Sequence, residues 1–316
     1  MLKYTVKRLL QSVLTVLIIV TIVFLCMRAL PTDFFFTEDQ MMKLDDQQKE
    51  DILAKAGLLD PIPTQLFRYY GQVLSGDFGT SRRIQNGTSV LEIIGGKFTI
   101  SMRLGLTSMA ISLTLGILLG VLQARQKDRL MDHVGTVYTV FVNSVPPLVS
   151  YSLVLVFGSR VLGLPSLYSN KNIGMSSILP VVCLALTSIA HYALWTRRYM
   201  VDESTKDYIK LARIKGMSTQ SIMVKHILKN AFVPLVQYIP ASIILTFGGT
   251  LLVERFFSVP GMGTLMVDAI QRYDTEVVQT CVMIYAFLGI IGVFLGDLAM
   301  TLFDPRIKLA GGGETR

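Results

Sequence analysis

The sequence predicts an all-α integral membrane protein in which six transmembrane helices carry a small external helical cap between helices 1 and 2. Hydrophobic residues make up 51% of the 316 residues and charged residues only 16%, whereas a soluble protein carries about a quarter charged residues. Six apolar segments each approach or exceed the roughly 20 residues that a membrane crossing needs. The same composition excludes intrinsic disorder, and three cysteines are too few for a disulfide scaffold.

Each predicted crossing is an apolar run flanked by polar or charged residues. Because the number of crossings is even, both termini lie on the same side. The crossings are Leu9–Leu30, Thr99–Leu122, Val134–Phe157, Ile178–Trp195, Leu235–Val253 and Val277–Phe303. The predicted organisation is an N-terminal transmembrane helix (1–30), an external cap (31–98), a transmembrane core (99–305) containing a cytoplasmic loop (197–233), and a cytoplasmic tail (306–316).

The external cap has a helical pattern of its own. The segment Pro63 to Ser75 is predicted to be an amphipathic helix, because apolar residues recur in it at helical spacing. Ser89 and Glu92 form a capping-box pattern that predicts a further short helix leading into the second crossing. Glycines at 76 and 79 punctuate the loop between the two helices. The expected buried stripe of the first helix consists of Leu66, Tyr69, Tyr70, Val73 and Leu74.

The distribution of basic residues predicts the orientation of the chain. With the N-terminus inside, 17 of the 30 Lys and Arg residues lie in cytoplasmic segments, eight of them between Arg197 and Lys229. The two short outer loops hold four. This asymmetry follows the positive-inside rule, which places both termini in the cytoplasm. The net charge of +8 is thereby explained by topology, and nucleic acid is not expected as a partner.

Signatures of catalysis are missing from the sequence. Gly95-Gly96-Lys97 is followed by Phe98 rather than by the Ser or Thr of a phosphate-binding loop, and the first glycine of that motif is also absent. The three histidines lack metal-ligand spacing, and there is no G-x-S-x-G nucleophile elbow. We therefore expect a chain that is not an enzyme and binds no metal or cofactor itself.

Two features inside the crossings suggest a passage for a solute. Asp297 is an acidic residue within the last crossing, and intramembrane charges are often functional. It could alternatively pair with a nearby basic group or a backbone donor. Pro146 and Pro147 predict a kink in crossing three. Asn143, Ser144, Pro146 and Asp297 are therefore the candidate substrate-path residues.

The loop between crossings four and five predicts two short cytoplasmic helices. A capping-box-like pattern at Ser204 and Asp207 begins the first helix, Gly216 ends it, and Ser218 or Thr219 begins a second that reaches about Asn230. A basic helix-turn-helix suits either DNA binding or docking to a cytoplasmic protein. Tight tethering of both ends to the membrane disfavours DNA.

These residues resemble the coupling loop of type I ABC importer permeases, whose pattern is Glu-Ala-Ala, three residues, then Gly. Ala212 and Gly216 match that pattern, whereas Lys210 and Leu211 depart from it. Further segments resemble the first permease subunit of oligopeptide/dipeptide (nickel) importers in order and spacing. They are Lys7-Arg8-Leu9-Leu10, residues 76–81, His226, Lys229-Asn230-Ala231 with Pro234, residues 254–263, and Leu302-Phe303-Asp304-Pro305-Arg306.

The resemblance implies a type I ABC importer permease fold and a division of labour among subunits. This chain and a second homologous permease would enclose a path for peptides, an extracytoplasmic binding protein would deliver them, and two ATPase subunits would bind ATP and Mg²⁺ beneath the coupling loops. Membrane lipid would surround a multi-pass protein of a bacterial or archaeal plasma (inner) membrane. The implied ATPase-coupling residues are Lys210, Leu211, Ala212, Arg213, Gly216, Met217 and Ser218. The implied contacts with the binding protein are Phe256, Phe257, Pro260 and Gly261.

Parts of the sequence are also compatible with other functions. The same family also includes carriers of nickel chelates or other small solutes. A channel or membrane enzyme acting alone would need clustered titratable groups at the middle of the membrane, and the crossings show only scattered Ser, Thr and Asn. A membrane-tethered DNA-binding regulator would need its basic helices to reach a duplex.

Overall fold

The computed structural model describes residues 2–31, 35–36, 38–247 and 251–303. Long helices form a membrane bundle, and short helices lie at its two ends. The helices are α1 (Leu2–Arg28), α2 (Glu38–Lys43), α3 (Asp46–Lys55), α4 (Ile62–Ser75), α5 (Val90–Arg125), α6 (Leu130–Ser144), α7 (Pro147–Arg160), α8 (Ile173–Ser176), α9 (Ile178–Ser204), α10 (Asp207–Ile214), α11 (Thr219–Ile222), α12 (Lys229–Phe247), α13 (Leu251–Phe256), α14 (Met262–Gln271) and α15 (Thr275–Phe303). A π-helical segment, Met223–Leu228, joins α11 to α12.

The predicted all-α membrane class is confirmed. Among the described residues, five helices are long and apolar enough to cross a membrane, and α6 with α7 supplies a sixth crossing if the two are counted as one broken span. The longest helix, α5, has 36 residues and is therefore about 54 Å long at 1.5 Å per residue. Since the hydrocarbon core is about 30 Å thick, α5 extends beyond it.

Two predicted crossings need correction. Crossing three, Val134–Phe157, is not one helix: α6 and α7 meet at a bend of 112°, because Pro146 and Pro147 cannot donate the backbone hydrogen bonds that would continue α6. Crossing five is also displaced. Its span covers Thr219–Ile244, and residues 251–253 belong to the separate helix α13.

Small residues allow the central helices to pack closely. A Cβ atom added to Gly120 of α5 would lie 2.5 Å from Cβ of Thr196 and 2.6 Å from the carbonyl oxygen of Ala193, both on α9. Such contact distances leave no room for a side chain, so α5 and α9 approach backbone to backbone. Small residues at helix interfaces favour this packing because dispersion contacts hold helices together in lipid.

The segment predicted to be the external cap packs against the C-terminal half of α1. Tyr69 of α4 stacks on Phe24 with ring centroids 5.4 Å apart, and the hydroxyls of Tyr70 and Thr21 lie 2.5 Å apart. The predicted helix is confirmed, with Gly76 ending it in the left-handed conformation at φ 75°. The prediction that Leu74 belongs to the buried stripe is wrong, because Leu74 is 87% exposed. Gln65, which is not part of the predicted stripe, is only 6% exposed.

The second helix predicted in the cap does not stand alone. Residues 90–98 form the first turns of α5, which continues without a break to Arg125. Ser89 is the N-cap residue, but its side chain makes no capping hydrogen bond, so the predicted capping box with Glu92 is wrong. An isolated β-bridge between Ser89 and Thr80 fixes the entry into the helix instead.

Candidate functional site

A helix, a tight turn and a second helix form the surface between α9 and α12, on the side that the distribution of basic residues predicts to be cytoplasmic. Gly216 follows α10 with φ 76°, a backbone conformation that glycine adopts without strain. The side chain of Ser218 accepts a hydrogen bond from the backbone N–H of Ser221 at 3.3 Å and so caps α11. We call α10, the 215–218 turn and α11 the cytoplasmic knob.

The beginning and end of the knob differ from the prediction. Ser204 is the last residue of α9, and its hydroxyl donates to the carbonyl of Val201 at 2.7 Å, so it does not cap α10. Lys206 precedes α10 without a side-chain cap. The second helix does not end at Asn230, because the π-helical segment carries it into α12. The knob is therefore continuous with crossing five.

The inner face of the knob is apolar and covered by this chain. Ile209 and Ala212 of α10 are 1% and 8% exposed and pack with Met200 of α9 and Ile222 of α11. Burial of these four side chains fixes α10 against the end of α9. Apolar packing thus attaches the knob to the end of α9.

The outer face carries most of the predicted coupling residues. Ile214 is 81% exposed and Leu211 52%, although both are apolar, and no described residue covers them. Sequence analysis missed Ile214, whose signal is an apolar side chain in a basic cytoplasmic helix. Of the seven predicted residues, Lys210, Leu211, Arg213, Gly216 and Ser218 are exposed, Met217 is half-buried and Ala212 is buried. Ala212 therefore supports the inner face, contrary to the expectation that it shapes the docking face.

A hydrogen-bonded junction links the knob to both neighbouring crossings. The hydroxyl of Tyr208 on α10 donates to a carboxylate oxygen of Glu203 on α9. The side-chain amide of Asn230 on α12 donates to the Tyr208 hydroxyl at 2.7 Å and to the same Glu203 oxygen at 3.3 Å. Three helices thereby meet in one polar cluster, which sequence analysis did not identify because Asn230 is 22 residues from Tyr208 in the chain.

The bend between α6 and α7 exposes polar groups. Asn143, Ser144 and Pro146 are all exposed in this chain. The carbonyls of Val142 and Asn143 lie four residues before Pro146 and Pro147, which have no N–H to donate. No described residue donates a hydrogen bond to either carbonyl. In lipid such groups are tolerated only where they line water or are covered by protein.

Asp297 is separate from the bend in the structure. It lies half-exposed on α15, and Gln237 of α12 donates a side-chain hydrogen bond to it at 3.3 Å. It also lines a cavity of about 380 Å³ between α1 and α15. The structure thus brings Asn143, Ser144 and Pro146 together and places Asp297 elsewhere.

A buried carboxylate organises the loop from 254 to 264, which the predicted topology places on the external side. Glu254 is 2% exposed and accepts from the hydroxyl of Ser101 at 2.7 Å and from the backbone N–H groups of Gly263 and Thr264 at 2.7 and 3.2 Å. The latter two groups open α14, where a negative charge is favoured by the helix dipole. Glu254 therefore ties α13, α14 and α5 together.

The external residues predicted to contact another protein fall into two groups. Phe257 is 0% exposed and Gly261 is buried, because Phe257 packs among α5, α7 and α9 and Gly261 lies against Ser101 and Glu254. Phe256 and Pro260 are half-exposed. Only the second pair presents surface to an external partner in this conformation.

Comparison with known proteins gives a family match over most of the transmembrane core. Residues 116–309 match the family model described as binding-protein-dependent transport system inner membrane component. This segment contains the bend, the knob and the Glu254 loop, so all three belong to the matched region.

Full-length relatives are similar to the chain from end to end. The dipeptide transport system permease protein DppB of Lactococcus lactis subsp. cremoris is 32% identical over 98% of this chain and 100% of its own length. The oligopeptide transport system permease protein AppB of Bacillus subtilis is 31% identical over 96% and 99%. The oligopeptide transport system permease protein OppB of Salmonella typhimurium is 30% identical over 98% and 100%.

Proposed function

Because this chain belongs to the family of binding-protein-dependent transport system inner membrane components, we propose that it is the permease subunit of an ATP-driven peptide importer. The observation that carries the proposal is the end-to-end similarity to dipeptide and oligopeptide permeases. These relatives favour peptides over nickel chelates as the substrate. The chain acts as a multi-pass membrane protein with both termini in the cytoplasm, and a second homologous permease completes the path.

The cytoplasmic knob is the docking site for an ATPase subunit. Its outer face offers two exposed apolar side chains, Leu211 and Ile214, among the basic residues Lys210 and Arg213. An apolar contact rimmed by positive charge suits a groove with an acidic rim. ATP and Mg²⁺ are bound by two ATPase subunits, and this chain is not itself catalytic.

Motion of the knob is transmitted through two connections. The inner apolar face joins α10 to α9 and α11, and the Glu203–Tyr208–Asn230 junction joins it to the ends of α9 and α12. When the ATPase pair closes and displaces the knob, crossings four and five move with it as rigid elements. Such a displacement switches the path between inward and outward access.

The bend between α6 and α7 lines the substrate path. Exposed Asn143 and Ser144, together with the two carbonyls that lack donors, need water or a protein neighbour at membrane depth. A path enclosed by two permeases provides both. Asp297 is a path candidate of a different kind, since it is a half-exposed carboxylate within a crossing and accepts a hydrogen bond from Gln237.

The external face receives the binding protein. Phe256 and Pro260 supply the contact, while Phe257 and Gly261 hold the loop in place from beneath. The rigid Glu254 network makes the loop a preformed surface, which limits the ordering that association requires.

Co-purification and uptake test the proposal together. Tagged chain is coexpressed with the second permease and the ATPases, extracted in mild detergent, and reconstituted with the binding protein and labelled peptide. We expect the ATPases to co-purify and uptake to require ATP. Ile214→Asp should abolish both, because a charge replaces the most exposed apolar contact.

The matched control is Ile62→Asp, which changes an exposed isoleucine of the external cap and should leave ATPase binding intact. ATP-independent uptake by the purified chain alone would contradict the proposal and favour a stand-alone channel.

A further inference from the structure

A cavity of about 280 Å³ lies on the external side, away from the bend and the knob. The outer end of α1, the cap helix α4, the 77–82 loop and the first turns of α15 form its walls. Phe35 and Leu58 of the cap also line it. Ligand sites in proteins typically measure about 300 to 1,000 Å³, so this cavity suits a small molecule or the end of a longer one.

Arg28 is a cation without an anionic partner in this cavity. Its guanidinium lies 5.2 Å from the ring centre of Phe24 and 5.3 Å from that of Phe35. Its Nε atom is buried and has no hydrogen-bond partner. Within the described part of the chain, no carboxylate lies within ion-pair distance of it. A cation held between aromatic rings and turned away from lipid is available to an incoming anion.

The other charged residues that line the cavity already have partners in this chain. Glu276 lines the same cavity and forms an ion pair with Arg82 at 2.8 Å, and both residues act electrostatically on Arg28. Arg68 and Asp77 also line the cavity, and both are engaged by other groups of this chain. Arg28 is left without a close carboxylate among the described residues, and a ligand carboxylate would supply one.

A buried amide provides a second recognition element. Gln65 is 6% exposed and uses its side-chain NH₂ group to donate to the carbonyls of Leu58 and Asp60 at 2.9 and 2.7 Å. Its side-chain oxygen is buried, lacks a hydrogen-bond partner and belongs to a residue that lines the cavity. That oxygen is a hydrogen-bond acceptor, so its partner in a ligand must be a donor such as an amide N–H.

Tyr69 adds a neutral hydroxyl to the same wall. Burial raises the pKa of Tyr69 to about 12, so it stays protonated at physiological pH and does not repel a carboxylate. Its hydroxyl donates to Sδ of Met283 at 3.9 Å, so the groups that the cavity leaves open to a ligand are a cation and an amide acceptor. This set matches a terminal peptide carboxylate with the amide N–H that lies next to it.

From this arrangement we infer that the cavity binds the C-terminal end of a short peptide, with the free carboxylate on Arg28 and the adjacent amide N–H on Gln65. The inference rests on the proposed function for the relevance of peptides as ligands. The volume admits one or two residues, so a dipeptide fits entirely and a longer peptide only by its end. This external site is distinct from the path at the bend.

Binding is tested on the assembled permease–ATPase complex in nanodiscs, without the binding protein. Calorimetry compares Ala-Ala with its C-terminal amide, which lacks the negative charge. We expect the free acid to bind at least tenfold more tightly than the amide. Arg28→Gln should weaken binding of the acid at least tenfold and remove the preference, and Arg28→Lys should retain part of it.

Arg160→Gln is the matched control, because Arg160 is an exposed arginine at the end of α7 and does not line the cavity. Equal binding of acid and amide by the wild-type complex would overturn the inference even if the Arg28 variants fail to assemble. Unchanged binding by Arg28→Gln would overturn it as well.

A lipid headgroup is the competing occupant. Glycerophosphoethanolamine should not displace Ala-Ala at equal concentration, and complete displacement would assign the cavity to lipid instead. Peptide uptake driven by the binding protein is measured separately. Normal uptake with no acid preference would leave the proposed function standing and reject only this site. If the wild-type complex itself takes up no peptide, the proposed function is rejected, whatever the cavity binds.

Discussion

Arg197 and Asp132 form a two-point ion pair, with Nε to Oδ1 at 2.5 Å and Nη2 to Oδ2 at 2.7 Å. The Asp132 side chain is 4% exposed and that of Arg197 is 27% exposed. Asp132 also accepts the backbone N–H of Asp128 at 2.9 Å. The pair therefore ties the beginning of α6, and the loop before it, to the C-terminal part of α9.

Breaking this pair should destabilise the protein. Asp132→Asn leaves the Arg197 charge without its partner, and such changes at buried pairs cost about 3–5 kcal/mol. Because Arg197 keeps some exposure, we expect the lower end of that range, measured as a loss of thermal stability in detergent. The double variant Asp132→Leu with Arg197→Met should recover part of the loss. Additive destabilisation in the double variant would show that the pair is not the cause.

Substitutions at Gly216 should separate backbone strain from docking. No atom of the described residues lies within 4 Å of a Cβ atom added there, so the left-handed φ alone is unfavourable for Ala, by about 1 kcal/mol. Gly216→Ala should therefore assemble with the ATPases, and Gly216→Arg should not. Gly163 has φ 65° and equally open space but lies in an external loop. Gly163→Arg should carry the same strain and retain the ATPases, as measured by co-purification.

Replacing Glu254 should loosen the external loop. Glu254→Gln removes the charge and places an NH₂ group where backbone N–H donors are bound, and an unsatisfied buried donor costs about 1–3 kcal/mol. Limited proteolysis should show faster cleavage between residues 254 and 264. Asp268→Asn is the control, since the Arg255–Asp268 pair is 41% and 37% exposed and such pairs contribute about 0–1 kcal/mol. Equal protection of wild type and Glu254→Gln would contradict the expected role.

The hydroxyl of Tyr208 should matter for coupling more than for stability. Tyr208→Phe keeps the ring and removes the hydroxyl that joins Glu203 to Asn230. We expect severalfold fewer peptides transported per ATP hydrolysed in proteoliposomes, with basal ATPase activity unchanged. Tyr273→Phe, at an exposed tyrosine on the external side, should leave the ratio as in the wild type. An unchanged ratio in Tyr208→Phe would exclude transmission through the junction.

Local patterns were sufficient to predict several elements. The helix of the cap appeared where apolar spacing and Gly76 indicated it, and the left-handed turn at Gly216 followed the helix that it was expected to end. Both depend on residues within one or two turns of each other. The resemblance to peptide importer permeases was likewise confirmed by the family match and the full-length relatives.

Errors arose where a local pattern competed with distant contacts. The capping box at Ser89 was not formed, because the chain there pairs with Thr80. Leu74 matched the apolar spacing but is exposed, while the polar Gln65 is buried because it donates to the carbonyls of Leu58 and Asp60 in the preceding loop. Residues 304–316, including part of the Leu302–Arg306 motif, lie outside the described residues.

The sequence by itself determined the class, the approximate crossings and the family, because hydropathy, basic-residue asymmetry and ordered motifs are properties of neighbouring residues. Tertiary structure decided which of those residues are accessible. Phe257 and Ala212 are buried, while Ile214 is exposed. It also brought together Glu203 with Asn230, Asp132 with Arg197, and Arg28 with the cap. These pairings depend on how helices from separate parts of the chain pack, since burial and charge pairing are set by neighbours in space.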